Sequence, residues 1–357
     1  MSMKDAAPSA LPRWMDGTGA SADIVLSSRV RLARNLEGVP FPHLLSQAQA
    51  ADVLAAARKA ADELNKFGFL GTVRYLPLVD VTPVERQVLV EEHLISPAQA
   101  KDVQHKAVIL SQAEEVSVMV NEEDHLRIQC LLPGLQLQDA WALASRVDDA
   151  LEQTMTFAFS ESRGYLTACP TNVGTGLRAS VMMHLPALVL TNQAARVLNS
   201  VGQLGLTVRG LYGEGTEAIG NIFQISNQIT LGRAEGEIID HLSAVVSQII
   251  DHERQAREAL VREAKDQVED KVSRALGILS SARIMTSDEA IRLLSDVRLG
   301  INMGILTRVP LKTANELLIT TRPAYLQRLA GRELSPFERD LQRAALIRTK
   351  LGVRQTA

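Results

Sequence analysis

Three short stretches carry side chains suited to phosphate and to a cationic acceptor: SSRVRLARN at 27–35, NEEDHLR at 121–127 and RGLYGEGTEAIGN at 209–221. Arg29 and Arg31 stand two apart, so on an extended segment both guanidinium groups leave from one face, where two planar forks can clamp neighbouring phosphates. The same pair equally fits a solvated basic edge. In NEEDH an unbroken run of acids and a histidine lies between apolar VSVMV and LRIQCLL. On a strand or tight turn Glu122 and Glu123 point to opposite sides, so one can face a cleft while the other braces the loop. A run of acids is also the ordinary composition of a solvated face. The glycine-rich segment around Glu214 and Glu217, headed by Arg209, has neither the Walker lysine nor the GxGxxG spacing. It reads as a mobile lid bearing a carboxylate, or as a turn with no further task. A fourth stretch, CPTNVGTGLRASVMMHLP at 169–186, sets Cys169 and Arg178 before an apolar strand, and a cysteine there is either reactive or a small buried hydrophobe.

Such groups need elements to hold them. Residues 1–22 mix Ala, Pro, Ser and Gly without periodicity and read as a flexible or loosely docked N-terminal tail. QAQAADVLAAARKAADELNKF is helix-forming, and LVEEHLISPAQAKD continues in that style with a proline break. Strand signals crowd between about 107 and 232, in AVILS, VSVMVN, LRIQCLL, RASVMMHLPALVL, LTVRGLYG and NIFQISNQITLG. Few of the connections have room for a crossover helix, so the fold class expected is α+β with a largely antiparallel sheet flanked by helices. After Gly236, Ile238, Ile239, Leu242, Val245, Val246, Ile249 and Ile250 repeat at helical spacing, and the pattern runs to about Leu279 as one long helix leaving the catalytic unit. Ser287, Thr313 and Ser335 stand where helices can be capped, and SPFE at 335–338 has the form of a capping box. The division expected is a tail at 1–22, a catalytic unit at 23–255 and an all-helical C-terminal domain at 256–357.

At 357 residues and 46% apolar content the chain can bury a sizeable core. No stretch approaches the roughly 20 apolar residues of a bilayer span, and no secretion signal stands at the N-terminus, so the expected location is the cytoplasm, with no membrane partner. A net charge of −3 excludes a globally basic nucleic-acid binder, and direct binding of nucleic acid is not expected. Cys130 and Cys169 lack the spacing of a zinc site or a disulfide framework, and no protein-only metal site is expected.

Taken together, SSRVRLAR, NEEDHLR, CPTNVGTGLRASV and RG-x-x-GE-x-TEA followed by SN-x-x-x-LG resemble the phosphagen kinase family of ATP:guanidino phosphotransferases, in order and approximate spacing over about residues 23–235. The resemblance implies that family's fold, a glutamine-synthetase-like catalytic domain, with ATP and Mg²⁺ as cofactors and the metal held mainly through the nucleotide phosphates. It implies that Arg29, Arg31, Arg127, Arg178 and Arg209 bind phosphate and that Glu123 binds the guanidinium and acts as base. Glu214 becomes the second substrate carboxylate, on a mobile loop, and Cys169 the thiol beside the guanidinium. The nucleotide-binding segments carried over are Ser27, Ser28, Arg29, Val30 and Arg31; Arg178, Ala179, Ser180, Val181 and Met182; and Arg209, Gly210, Leu211, Tyr212 and Gly213; His93 matches a histidine near adenine. The chemistry agrees with the inventory. A guanidinium stays protonated, so attack by its nitrogen needs a carboxylate that fixes its plane and accepts a proton.

Metabolite-using members begin with a helical domain of about a hundred residues before the SSRVR segment, whereas this chain has a short tail there and a helical region afterwards. That arrangement, with Met182 where metabolite kinases commonly have histidine, resembles the bacterial branch that phosphorylates arginine in proteins, and it opens the site to a side chain still attached to a protein. In that branch Arg339, Asp340, Arg343 and Ala344 reproduce an RDxxRA motif that serves as an allosteric phosphoarginine receptor. An ordinary charged helix surface has the same composition. The resemblance further implies protein substrates, a heat-shock repressor among them, a zinc-binding activator, a Clp-type ATPase and protease, a homodimer, and a role in stress-linked proteolysis. Two rivals stay open: a kinase for free arginine or another small guanidino metabolite, and a non-catalytic phosphoarginine-binding adaptor.

Overall fold

The computed structural model of the chain describes residues 12–210 and 219–352. The first strand, β1 (Val25–Arg34), becomes the axis of the molecule. It is followed by α1 (Gln47–Phe67), β2 (Arg74–Pro77), α2 (Pro83–Glu91), α3 (Pro97–Lys101), β3 (Ala107–Leu110), β4 (Val116–Val120) and β5 (Leu126–Pro133). Next come α4 (Leu137–Glu152), the small β6 (Phe159–Ser160) and β7 (Gly164–Tyr165), β8 (Leu177–His184), α5 (Pro186–Leu190), α6 (Ala194–Gln203), β9 (Leu206–Gly210) and β10 (Ile222–Asn227). Helices alone follow: α7 (Glu235–Glu263), α8 (Lys265–Ser281), α9 (Ser287–Asn302), α10 (Leu311–Thr320), α11 (Pro323–Ala330) and α12 (Pro336–Lys350). The strands form an eight-stranded sheet in the order β2-β3-β4-β5-β1-β8-β10-β9, antiparallel at every pairing. The expected α+β class with an antiparallel sheet is what forms, but not for lack of room: helices stand in the connections β1 to β2, β2 to β3, β5 to β8 and β8 to β9, and short turns join β3 to β4 and β4 to β5.

Strand alternation then separates two chemistries. Val30 and Leu32 of β1, Ile128 and Cys130 of β5, and Ala179 and Val181 of β8 point to one face, where α4 and α7 cover them in the main core. Their neighbours Arg29, Arg31, Arg127, Gln129, Arg178 and Ser180 share the other face by register. Arg34, of the same parity as Val30, is driven under α4 and forms a bidentate pair with Asp148 at 2.7 Å while stacking on Tyr165.

Several expectations change. Trp14 and Met15, placed by sequence in a loose tail, are buried against Leu131, Val88, Ile319 and Tyr325, since an apolar pair beside a proline finds a pocket between sheet and C-terminal helices. The first eleven residues of the expected tail lie outside the described residues. The single long helix expected to about Leu279 ends at Glu263 and restarts at Lys265 after a non-helical Ala264. α7 also does not leave the catalytic unit but packs on it, while α8 turns to lay Val268, Val272, Ala275 and Leu279 against neighbouring layers. Thr286 rather than Ser287 caps α9, and α10 begins after Pro310 rather than at Thr313, while Ser335 closes the expected capping box with Glu338. The helical region meets the sheet through Leu26, Met182 and Ile222, which join Ala275, Leu279, Leu294 and Val297 in a second apolar cluster.

Candidate active site

The polar face of the sheet is built strand by strand. Register sets Arg29 opposite Ser180 and Arg31 opposite Arg178, with Arg31 facing Gln129 on the other side, so the two-residue spacing delivers both β1 arginines to one surface. Arg29 donates from Nε to Ser180 Oγ at 3.3 Å and from Nη2 to Gln224 Oε1 at 3.0 Å, and Arg178 donates to Ser226 Oγ at 3.2 Å. Arg209 on β9 pairs in register with Gln224. A cleft of about 350 Å³ opens over this face, lined by Arg29, Arg31, Arg127, Gln129, His93, Glu91 and Arg322, with Val90, Ile95, Pro97 and Met119 as apolar walls.

Charge in the cleft is unbalanced. Burial, with Arg127 and Arg178 nearby, pushes Arg29 down to about 9, and burial, Arg127, Arg29 and Arg178 push Arg31 well below its ordinary range, with Glu122 the one group acting the other way. Arg31 Nε is buried with no hydrogen-bond acceptor among the described atoms. Guanidinium groups stay protonated, so a cluster of this kind is relieved by an anion rather than by proton loss. The donor set fits a polyphosphate, and the apolar wall beside it fits a base. His93, T-stacked on Trp14 at 5.4 Å, is pushed to about 3 by burial, Arg29 and Arg322, and is therefore neutral at physiological pH. Trp14 is itself fixed by Nε1 donating to the Glu92 carbonyl. A small cavity under His93 is lined by Ser27, Ser180 and Met182.

The two glutamates of NEEDH differ in partners and exposure but line one groove, since residues 121–125 form a turn rather than a strand. The turn between β4 and β5 is made by Asn121 at φ +56°, and Glu122 turns inward, accepting from Ser96 Oγ at 2.6 Å and pairing with Arg127 at 2.9 Å. Glu123 is exposed and, together with Glu122, lines a second groove of about 480 Å³ with His43, Ser46, His105, Lys106, Asn121 and Ala168. Burial, then Asp124 and Glu122, raise the Glu123 carboxyl above the usual carboxylate range. Asp124 Oδ1 accepts from Asn35 Nδ2 at 2.6 Å and from Ala168 N at 2.7 Å, which ties the Cys169 segment to the Glu123 turn. Cys169 is half-buried, with Sγ 3.0 Å from Thr171 Oγ1.

Other expected residues lie elsewhere. Val30, Ala179 and Val181 are buried in the core on the opposite face, and Ser28 is occupied with the Gly134 carbonyl and the Gln136 amide, so only their backbone stays near the cleft. Gly210 ends β9, whereas Leu211, Tyr212, Gly213 and Glu214 lie outside the described residues. On α12, Arg339 and Asp340 are partly exposed but Arg343 and Ala344 are buried. Arg343 donates to the carbonyls of Thr321 and Met285, each at 2.8 Å, and pairs with Asp340 at 2.5 Å. Sequence reasoning missed Trp14, Glu91, Ser96, Gln129, Gln224 and Arg322. None sits in a recognisable motif, and all reach the cleft only through pairing and packing.

Residues 55–256 match the family profile described as ATP:guanido phosphotransferase, C-terminal catalytic domain, a range that begins after β1. Residues 265–357 match the profile described as protein-arginine kinase McsB C-terminal domain. The chain is 61% identical over 340 residues to a protein-arginine kinase of Symbiobacterium thermophilum, covering 95% of this chain and 96% of the relative. It is 54% identical over 352 residues to one of Pelotomaculum thermopropionicum, covering 99% of each. Among solved structures, lombricine kinase superposes with a TM-score of 0.58 at 27% identity over 68% of this chain and 69% of that one. The duplicated taurocyamine kinase of Schistosoma mansoni, bound to transition-state analog components, gives 0.59 at 27% identity over 70% of this chain and 37% of that one.

Proposed function

The chain belongs to the ATP:guanido phosphotransferase family, and from that membership we infer that it transfers the γ-phosphoryl group of ATP to arginine side chains of proteins. The observation that carries the reading is the convergence of Arg29, Arg31, Arg127 and Arg178 on one sheet face, with Glu122 paired to Arg127 and Glu123 close enough to feel Arg127 and Arg31. Phosphoryl transfer asks mainly for positioning and for cations around the equatorial oxygens. The clustered arginines hold and neutralise the phosphates, and Mg²⁺ arrives on the phosphate oxygens, adding charge neutralisation when bound. Glu123 fixes the acceptor guanidinium and takes the proton from the attacking nitrogen as the new nitrogen–phosphorus bond forms and ADP departs. Its raised proton affinity favours that task. Glu122 keeps Arg127 in place. Glu214 is assigned as the second carboxylate and Cys169 as the thiol near the acceptor, by resemblance to the family.

The groove lined by Glu123 is proposed as the entry for an arginine still attached to a protein, in keeping with the relatives named protein-arginine kinase. Arg339, Asp340, Arg343 and Ala344 are proposed as the phosphoarginine receptor, where a ligand guanidinium competes with Arg343 for Asp340. The cytoplasmic location, the homodimer and the repressor, activator and protease partners belong to the same proposal and rest on the family resemblance. Casein incubated with the chain and Mg-ATP is expected to gain acid-labile phosphate seen by intact mass, whereas Glu123→Gln is expected to give none. Transfer to free arginine alone would replace this reading with a metabolite kinase.

A further inference from the structure

Of the arginines lining the cleft, one comes from neither the sheet nor the segments that match the phosphagen kinase motifs. Arg322 precedes α11, in the region covered by the second family profile, yet it lines the same cleft as Arg29, Arg31 and Arg127. We propose that Arg322 is a nucleotide-binding side chain supplied by the C-terminal helices, contacting an anionic group of the nucleotide held in that cleft. This rests on the reading of the cleft as the ATP site.

The mount of Arg322 is rigid. Its Nε donates to the Leu318 carbonyl at 3.0 Å, which fixes the direction of the guanidinium. The preceding Thr321 carbonyl is held by Arg343 at 2.8 Å, and the following turn is held by Glu91, which accepts from Ala324 N and Tyr325 N, each at 2.9 Å. Arg328 adds a pair to buried Glu92 at 3.1 Å, so α11 is clamped to α2 from both sides. Glu91 and Glu92 thus come from the helix and turn that also present Val90 and His93 to the cleft.

A structural role for Arg322, as counter-ion to Glu91, explains less. Both carboxylate oxygens of Glu91 already accept backbone amides, which anchors α11 without a cation. Arg322 is half-buried and pushed down to about 10, chiefly by desolvation, with Glu91 opposing and Arg343 adding to the shift. Its guanidinium lines the cleft together with Arg29, Arg31 and Arg127, and a planar fork in that position is the group suited to phosphate.

The test is equilibrium binding of Mg-ADP and of adenosine to the full chain, comparing wild type, Arg322→Gln, Arg322→Lys and Arg127→Gln, with a denaturant midpoint for each. Arg322→Gln is expected to weaken Mg-ADP by about tenfold or more, with adenosine unchanged and Arg322→Lys falling between. Mg-ADP affinity within about twofold of wild type in Arg322→Gln, while Arg127→Gln loses it, would overturn the inference and leave the ATP reading intact. Equal losses for adenosine and Mg-ADP would overturn it as well, by showing a collapsed wall rather than a lost ionic contact. Absence of nucleotide binding by the wild type would overturn the ATP reading and this inference with it.

Discussion

The proton economy of the site turns on the triad Glu122, Glu123 and Asp124. Glu123 is raised by burial first, then by Asp124 and then by Glu122, so loss of a neighbouring negative charge lowers it. Asp124→Asn makes a selective probe, because the two donors to that carboxylate, Asn35 Nδ2 and Ala168 N, meet the same Oδ1, which an amide oxygen can replace. A base works in its deprotonated form, so activity falls as pH drops through the Glu123 value, and that acid limb lies above the ordinary carboxylate range. In Asp124→Asn the acid limb of kcat/KM is expected to move to lower pH with the protein still folded. A limb that stays put would assign it to another group. Glu122, by contrast, is held low by Arg127, Ser96 and the Glu123 amide, so it stays charged and keeps the arginine in place.

At the scale of elements, the site depends on β1 lying between β5 and β8 with the right parity, and the Gly-Thr-Gly turn before β8 secures this. Gly174 and Gly176 both have positive φ, and a Cβ at Gly176 would lie 2.6 Å from the Ala33 carbonyl and 2.7 Å from Arg34 Nη1. The Gly176 carbonyl in turn accepts from Ala33 N, which sets where β8 joins β1. Gly176→Ala combines left-handed strain with overpacking and is expected to cost about 2–4 kcal/mol in urea unfolding. A cost under about 1 kcal/mol would show that the turn yields without penalty. The shared face of Arg29 and Arg31 was legible in sequence, because strand parity is a local property, whereas Glu122 and Glu123 sit in a turn and line one groove. The break at Ala264 was not, because the apolar stripe of α7 and that of α8 join smoothly on paper and only packing shows that they serve different neighbours.

Across the whole molecule, one buried arginine holds the N-terminal approach to the sheet against the C-terminal helices. Arg298 of α9 donates to the carbonyls of Ala22 at 2.7 Å and Asp23 at 3.0 Å and to Asn315 Oδ1 at 3.1 Å, and lies 2.9 Å from His184 Nδ1. Asn302 adds a bond to the Asp23 carbonyl at 2.7 Å, and Arg257 pairs with the Asp23 carboxylate at 2.9 Å. His184, pushed well below its ordinary value by burial, Arg298 and Arg257, is neutral there and accepts from Arg298. Arg298→Met strands several buried acceptors at once and is expected to destabilise the chain by about 3–5 kcal/mol, read as a lowered urea midpoint at unchanged slope. A midpoint equal to wild type would mean that the helical region is not held through this contact. No helix among the described residues is long and apolar enough to cross a membrane.

By itself the sequence determined the antiparallel α+β class, the family, and the shared face of Arg29 and Arg31, because strand alternation and motif spacing are written in neighbours along the chain. Tertiary structure alone decided what closes the cleft. Gln129 and Gln224 from plain strands and Arg322 from the C-terminal helices meet there, with Trp14, from a segment without periodicity, stacked on His93. Sequence separation carries no record of such meetings, since they are set by which apolar surfaces bury one another and by which strands lie side by side.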